Sequence, residues 1–365
     1  MGDGEGSFTT TTSSLAVLAA ALEGSPRPKF SSAPLTDEAT QEIVRMVHMG
    51  HPAQALEALE SAHAGLPATM NGAWPSASAV PATSSSESCP EPLEIVWLRH
   101  LRTRHEGFGA RMRLPPPADV GWSVPHRYVD QDVEYEAWFR WAGPDVLKMI
   151  TRTCVSGTLE QGLALLHEAD LQKHWLPCLT GGVAVWSNQV PALVVDLHAS
   201  VPFLPKTLST VVHRAFLEHT LDDGGPAIAV LDWTPDACHI IGGLFCGMHV
   251  PEAPKGSMRV GGVALATALL KHVDERRFCL ISHVDQNFPR RFCPDMVIRP
   301  FLNRNGRICA QRMSACIQEF EARGYLARVA ADRTGAYARL RRALAAKHCG
   351  ASSPSAGASV STGVT

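Results

Sequence analysis

The sequence predicts an α+β protein: an antiparallel sheet closed by one long C-terminal helix and preceded by a small helical hairpin. Three observations predict it. Between residues 183 and 284, short apolar runs are separated by Gly, Pro and Asp turns, without the regular intervening helices of a doubly wound fold. From about Pro294 to Glu321 the apolar residues Met296, Val297, Phe301, Ile308, Met313, Ile317 and Phe320 recur on one broad helical face. Between Thr36 and Ala64, two shorter amphipathic patterns flank the breaker Gly50-His51-Pro52.

Taken in chain order, residues 1–34 are rich in Thr, Ser, Gly and Pro and are expected to be disordered. Their apolar run Leu15–Leu22 follows Asp3 and Glu5 rather than a basic segment, so it does not read as a secretion signal. Residues 35–65 form the hairpin, whose "MGHPAQALEALESA" resembles half of a tetratricopeptide-like unit. One such unit cannot bury its own face, so it docks on the rest of the chain or on a protein partner. A Ser/Pro/Ala-rich linker occupies residues 66–91. The connector 92–124 holds a helix from Pro92 to about Arg104 and ends at Pro115-Pro116-Pro117.

The main domain spans residues 125–325. Val133–Trp141 and Val146–Val155 read as strands joined across Gly143-Pro144-Asp145. Thr158 caps a helix through Leu163, Leu165 and Leu166. Further strands are expected at 183–186, 192–198, 227–233, 239–245, 258–265 and 278–284. In the closing helix, Pro300 and the run Asn303–Gly306 predict a bend or a loosening. A C-terminal helix over 326–349 and a disordered tail over 350–365 complete the chain.

Composition narrows the function. With 45% hydrophobic and 19% charged residues and a formal charge of −2, the 365-residue chain is an ordinary globular protein with no basic footprint for nucleic acid. Its ten scattered cysteines form no CxxC pair and read as reduced thiols, which points to a cytoplasmic protein. No run approaches the roughly 18 apolar residues that span a bilayer, so membrane contact is expected to be peripheral. There is no GxSxG, P-loop, GxGxxG or HExxH, and no Cys/His set with zinc spacing. No catalytic residue, metal or cofactor is expected on those grounds.

Four segments resemble the START family, named after the steroidogenic acute regulatory protein. They are "LALLHEADLQKHWLPCL" with Asp170 and Trp175, "VPFLPKTLSTVVHRAFLEHTLDDGGPAIAVLDW", "GSMRVGG" with Arg259, and "FCLISHVDQNFPRRFCPDMVIRPFLNRNGRICAQRM" with Asp285 and Pro294. The chain departs from the pattern after Asp285, where Gln286 and Asn287 replace the proline and basic residue of many relatives, and at Pro300. The resemblance implies a helix-grip fold: a curved antiparallel sheet wrapped around the long C-terminal helix, enclosing an apolar pocket for a single lipid such as a phospholipid or sterol. Hiding a lipid tail from water is worth about 0.8 kcal/mol per methylene, which is why a carrier needs such an interior.

The expected function is therefore non-catalytic lipid binding, with or without transfer between membranes. Met296, Val297, Phe301 and Met313 either line that pocket or simply pack as core. Arg259 and Asp285 are either a polar pair orienting a head group or a structural ion pair. Arg290 and Arg291, beside Phe288 and Phe292, either touch anionic lipid or belong to a solvated loop. Two alternatives remain open: a scaffold protein that recruits a partner through residues 35–65, and an enzyme acting on a bound apolar compound.

Overall fold

The computed structural model describes residues 36–49, 51–64, 91–116, 121–130, 132–144, 146–187, 190–200, 206–220, 226–235, 239–271, 276–287, 295–333 and 335–342. The segments expected to be disordered, the linker apart from Glu91, and Phe288, Arg290, Arg291, Phe292 and Pro294 lie outside them. By its contacts the chain divides into two compact units, Met1–Pro34 with His63–Glu87, and Leu35–Ala62 with Ser88–Thr365. Nearly all of the described residues belong to the second unit.

The helices are α1 (Asp37–His48), α2 (Pro52–Ala64), α3 (Leu93–His105), α4 (Phe108–Arg111), α5 (Leu159–His167), α6 (Asp295–Gln318) and α7 (Tyr325–Ala331). A 3-10 turn, Ala169–His174, follows α5. The strands are β1 (His126–Asp130), β2 (Val133–Trp141), β3 (Val146–Ser156), β4 (Leu179–Trp186), β5 (Ala192–Ala199), β6 (Leu208–Thr220), β7 (Pro226–Trp233), β8 (Leu244–Phe245), β9 (Met248–His249), β10 (Met258–Arg259), β11 (Val263–Lys271) and β12 (Arg277–Asn287).

Nine strands pair in the order β1-β2-β3-β12-β11-β7-β6-β5-β4, each antiparallel to its neighbours, and β10 adds to β6 in parallel. Local chemistry sets the helix starts. Thr158 and Gln161 form a reciprocal capping box at α5, with the Gln161 amide donating to Thr158 Oγ1 at 3.2 Å and Gln161 Oε1 accepting from the Thr158 amide at 2.9 Å. At α1, Thr36 Oγ1 accepts from the Ala39 amide.

Strand alternation gives the sheet two faces, each with its own core. The inner face buries Leu193, Val195, Val212, Phe216, Val230, Leu269, Phe278 and Leu280 against α5, Trp175, α6, α7 and residues 336–340. The outer face buries Val194, Ala215, Leu217, Ala229, Leu231, Trp233 and Ala268 against Ile43 and Val47 of α1, Leu56 and Leu59 of α2, and Ile95, Trp97, Leu98 and Leu101 of α3. The alanines at 215, 229 and 268 let those helices approach closely. The hairpin's apolar residues thus join the outer-face core of this chain, with α1 against α3 and α3 against β7, and His48 Nε2 meets Glu94 Oε1 at 2.6 Å to tie α1 to α3.

Several expectations need correction. Residues 239–245 are not one strand. Gly242 and Gly243 have φ of 59° and 78°, a turn that only residues free of a Cβ adopt easily, and it leaves the two-residue strands β8 and β9. Residues 258–265 break into β10 and β11. The closing helix ends at Gln318 rather than Glu321, and its residues from Asp295 onward stay helical through Pro300 and Gly306 without a loosened turn. Its start is held from outside, because Trp141 Nε1 donates to Asp295 Oδ1 at 2.6 Å and Ile298 packs on Phe139 and Leu147. Two of the ten cysteines, Cys154 of β3 and Cys279 of β12, are joined in a disulfide rather than reduced. They stand directly opposite each other in the strand register, a proximity that spacing in the sequence cannot reveal.

Candidate functional site

The site is the inner face where α6 lies across the sheet. One stripe of α6, Ile298, Leu302, Asn305, Cys309, Met313 and Cys316, recurs at helical spacing and turns toward the strands. Ile298 is buried with Phe139 and Leu147, while Met313 and Cys316 are buried in the inner core. Gly306 fixes how closely the helix sits, because a Cβ there would fall on the hydroxyl and ring of Tyr135 in β2. Burial also raises the Tyr135 phenol above its ordinary pKa.

That contact makes a prediction. Alanine is favoured over glycine in a helix by about 1 kcal/mol. Displacing the buried Tyr135 ring costs about 1–3 kcal/mol or more, as overpacking does. Gly306→Ala is therefore expected to lower stability in urea unfolding despite its better propensity. A stabilised variant would mean that Tyr135 relocates freely.

Midway along the stripe the packing changes. Burial pushes the Cys309 thiol up to about 12, yet the residue keeps part of its surface accessible. One turn earlier, Asn305 Nδ2 is buried without a hydrogen-bond partner among the described residues, as is Asn303 Oδ1. Unsatisfied buried amides of this kind cost about 1–3 kcal/mol each.

At the other end of the inner face lies a buried polar cluster. Arg214 of β6 donates to Asp232 of β7 in a bidentate pair, Nε to Oδ1 at 2.7 Å and Nη2 to Oδ2 at 2.6 Å. Its third nitrogen, Nη1, donates to the Leu166 carbonyl at the end of α5, which also accepts from Gln172 Nε2 at 2.9 Å. Beside it, Glu168 Oε1 accepts from the Tyr337 hydroxyl at 2.8 Å and lies 2.8 Å from His167 Nδ1. Burial raises the Glu168 carboxyl, but the His167 and Tyr337 hydrogen bonds and the charge of Arg328 outweigh it and hold the group below its ordinary value. The charged groups and Tyr337 engage one another, while Gln172 Oε1 is buried without a hydrogen-bond partner among the described residues.

Of the residues singled out from sequence, Met313 faces the inner core and Phe301 packs beside Phe139, Leu147 and Ile298. Met296 and Val297 belong to the first turn of α6, and their side chains lie outside the described ones. Arg259 and Asp285 are not brought together. Arg259 sits on β10, with β11 and β7 between its partner strand β6 and β12, and bonds the Pro251 carbonyl at 2.7 Å and Asp196 at 3.3 Å. Asp285 pairs with Lys148 at 3.0 Å, in phase with the outer-face residue Ile281 and away from α6.

Sequence reasoning missed Arg214, Asp232, Asn305 and Cys309. A signal was available for the pair: Arg214 alternates with Val212 and Phe216, and Asp232 with Ile228 and Val230, so each places a charge in the buried phase of its strand. Among the described residues, no helix is long and apolar enough to cross a membrane, and no group of three His, Cys, Asp or Glu is placed to hold a metal ion.

No family model and no curated protein matches the chain. Solved structures are similar to it. Human StAR-related lipid transfer protein 5 is 15% identical with a TM-score of 0.43, over 61% of this chain and 99% of that one. Human STARD10 is 16% identical with a TM-score of 0.40, over 61% and 79%. The Zhui aromatase/cyclase from Streptomyces sp. R1128 is 13% identical with a TM-score of 0.30, over 48% and 94%. The first two are START-related proteins, the family that the sequence motifs resemble, while the helix-grip reading of this chain rests on its own strand order and on the seat of α6.

Proposed function

We propose that the chain binds a single lipid between the inner face of the sheet and α6, without chemistry on it. The observation that carries this reading is the middle of the α6 stripe. There Cys309 is only partly buried against the inner core, and Asn305 presents an amide nitrogen with no hydrogen-bond partner among the described residues, between the buried Ile298 and Met313. Apolar walls with one or two unsatisfied polar groups are what a lipid's tail and its carbonyl or hydroxyl would complete. The titratable groups of the Arg214–Asp232 and His167–Glu168–Tyr337 clusters engage each other, which favours binding over catalysis.

Incubation of the full chain with mixed phospholipid and sterol vesicles, followed by native mass spectrometry, is expected to return one lipid per chain. Filling the stripe with Cys309→Trp is expected to reduce the loaded fraction at least tenfold. A chain that extracts no lipid from any vesicle overturns the reading. Transfer is a further step, tested by movement of labelled lipid between donor and acceptor vesicles.

A second reading, a START-like module with a filled interior, is favoured by one observation. The segment after α6 inserts Tyr325, Val329, Tyr337 and Leu340 into the inner core beside Trp175 and Phe216. Absence of extracted lipid together with a well-packed, cooperatively unfolding chain would favour it.

A further inference from the structure

The outer face of the sheet is covered unevenly. Helices α1–α3 pack over β5, β6, β7 and part of β11, but over β1, β2, β3 and β12 the described chain supplies little more than α4 and the residues after it. Between that segment and the strands runs an open groove of about 900 Å³. This is within the size range of small-molecule sites.

Its two sides differ in chemistry. The floor is apolar, made by Trp138 of β2, Ile281 of β12 and Leu270 of β11, with Met112 as a wall. The rim is cationic. Arg113, Arg127 and Arg152 line the groove against one lining carboxylate, Glu136. Arg127 meets Glu136 at 2.6 Å but leaves 69% of its side chain exposed. Arg152 stands between Glu134 at 3.5 Å and Glu136 at 3.8 Å, beyond charge-assisted hydrogen-bond distance from either. A guanidinium so placed keeps donors to offer a planar anion in a bidentate fork.

The geometry points to a second binding site on this outer groove, for a small amphiphilic anion: a carboxylate carried on an aliphatic or aromatic body. The carboxylate lies among Arg113, Arg127 and Arg152, and the body covers Trp138, Ile281 and Met112. The site is on the opposite side of the sheet from the lipid proposed beneath α6, and it does not depend on that reading. The same acidic amphiphile could reach it as a dissolved fatty acid or from an anionic membrane surface, and the proposal commits to the dissolved form.

The test is a fluorescence titration of the full chain with dansylaminoundecanoate. Saturable binding displaced by oleate but not by oleyl alcohol is expected. The double variant Arg113→Ala, Arg127→Ala, which changes two exposed side chains and is checked for folding by its thermal unfolding beside the parent, is expected to weaken binding at least tenfold. Arg113→Glu alone should act in the same direction. An affinity unchanged in both variants, or displacement by the neutral alcohol as readily as by oleate, overturns the assignment. Co-sedimentation with phosphatidylglycerol vesicles in a chain that ignores the soluble probe overturns it in favour of a membrane surface. Lipid extraction from vesicles, read on the same variants, reports on the inner face separately: it should persist when groove binding is lost.

Discussion

Asp232→Ala is expected to destabilise the protein by about 3–5 kcal/mol, the range for breaking a buried ion pair from one side. The magnitude does not come from the strength of the pair. Arg214 and Asp232 are both almost fully buried, so each has given up its water, and their attraction only offsets that loss. Removing the carboxylate leaves a guanidinium in the inner core with the neutral Leu166 carbonyl beside it, an uncompensated charge. The double variant Arg214→Met, Asp232→Leu removes both charges and is expected to unfold in urea close to the parent. The two variants together form the check: a single variant within about 1 kcal/mol of the parent, or a double variant worse than the single, would mean the cluster is not dry.

Acidification is expected to unfold the molecule through His213. Its ring is fully buried between Trp233 and Phe245, at centroid distances of 4.3 and 5.1 Å, and neither nitrogen has a hydrogen-bond partner among the described residues. Burial first, and then the charge of His100 on α3, lower its pKa to about 3. In the unfolded chain an ordinary histidine titrates near pH 6.5. Between those values the unfolded state holds a proton that the folded state refuses. Stability is therefore full above pH 6.5, falls as the pH falls toward 3, and loses nothing further from this group below that. The difference amounts to something on the order of 4 kcal/mol by pH 3.

His105 adds to the same trend over a narrower window. It lies 3.2 Å from His219 Nδ1 at the α3 interface, and burial with the His219 and Arg111 charges lowers it to about 4. Replacing His213 with Phe removes a titrating group that makes no hydrogen bond among the described residues. Urea midpoints measured from pH 7 to 4 should fall less steeply in His213→Phe than in the parent, with no loss at pH 7. Parallel slopes in the two proteins would sink the assignment.

Much of the fold was legible locally. The Thr158 cap and the apolar period of α5, the paired runs of β2 and β3 around Gly143, and the one-sided period of α6 depend on neighbours within a few residues, and each element forms where those patterns lie. β1 was not legible because it is an exposed edge strand whose residues, His126–Asp130, carry no apolar alternation. β6 was obscured for the opposite reason: it is buried on both faces from Val211 to Leu217, so its apolar residues run together and its two polar ones, His213 and Arg214, look like a break. The continuity of α6 through Pro300 was decided by anchors on β2, which a propensity cannot contain.

The candidate site was legible only in part, and the difference has one cause. A helix stripe faces its partner as a unit, so Met313 could be placed from periodicity alone. A strand residue's face depends on alternation relative to a partner that must first be identified. Arg259 and Asp285 lie close in the sequence to matching motifs, yet β10 joins β6 while β12 joins β3 and β11, and the register sends Asp285 to Lys148 on the outer face. The sequence by itself determined the α+β class, the antiparallel strands and the presence of the closing helix, because period and capping are local, while of its predicted apolar set only Met313 falls on the stripe that faces the strands. Only the tertiary structure decided which charges meet, which cysteines bond and where Gly306 lets Tyr135 in, because those depend on the register and packing of different strands and helices, whose partner is not written in either segment alone.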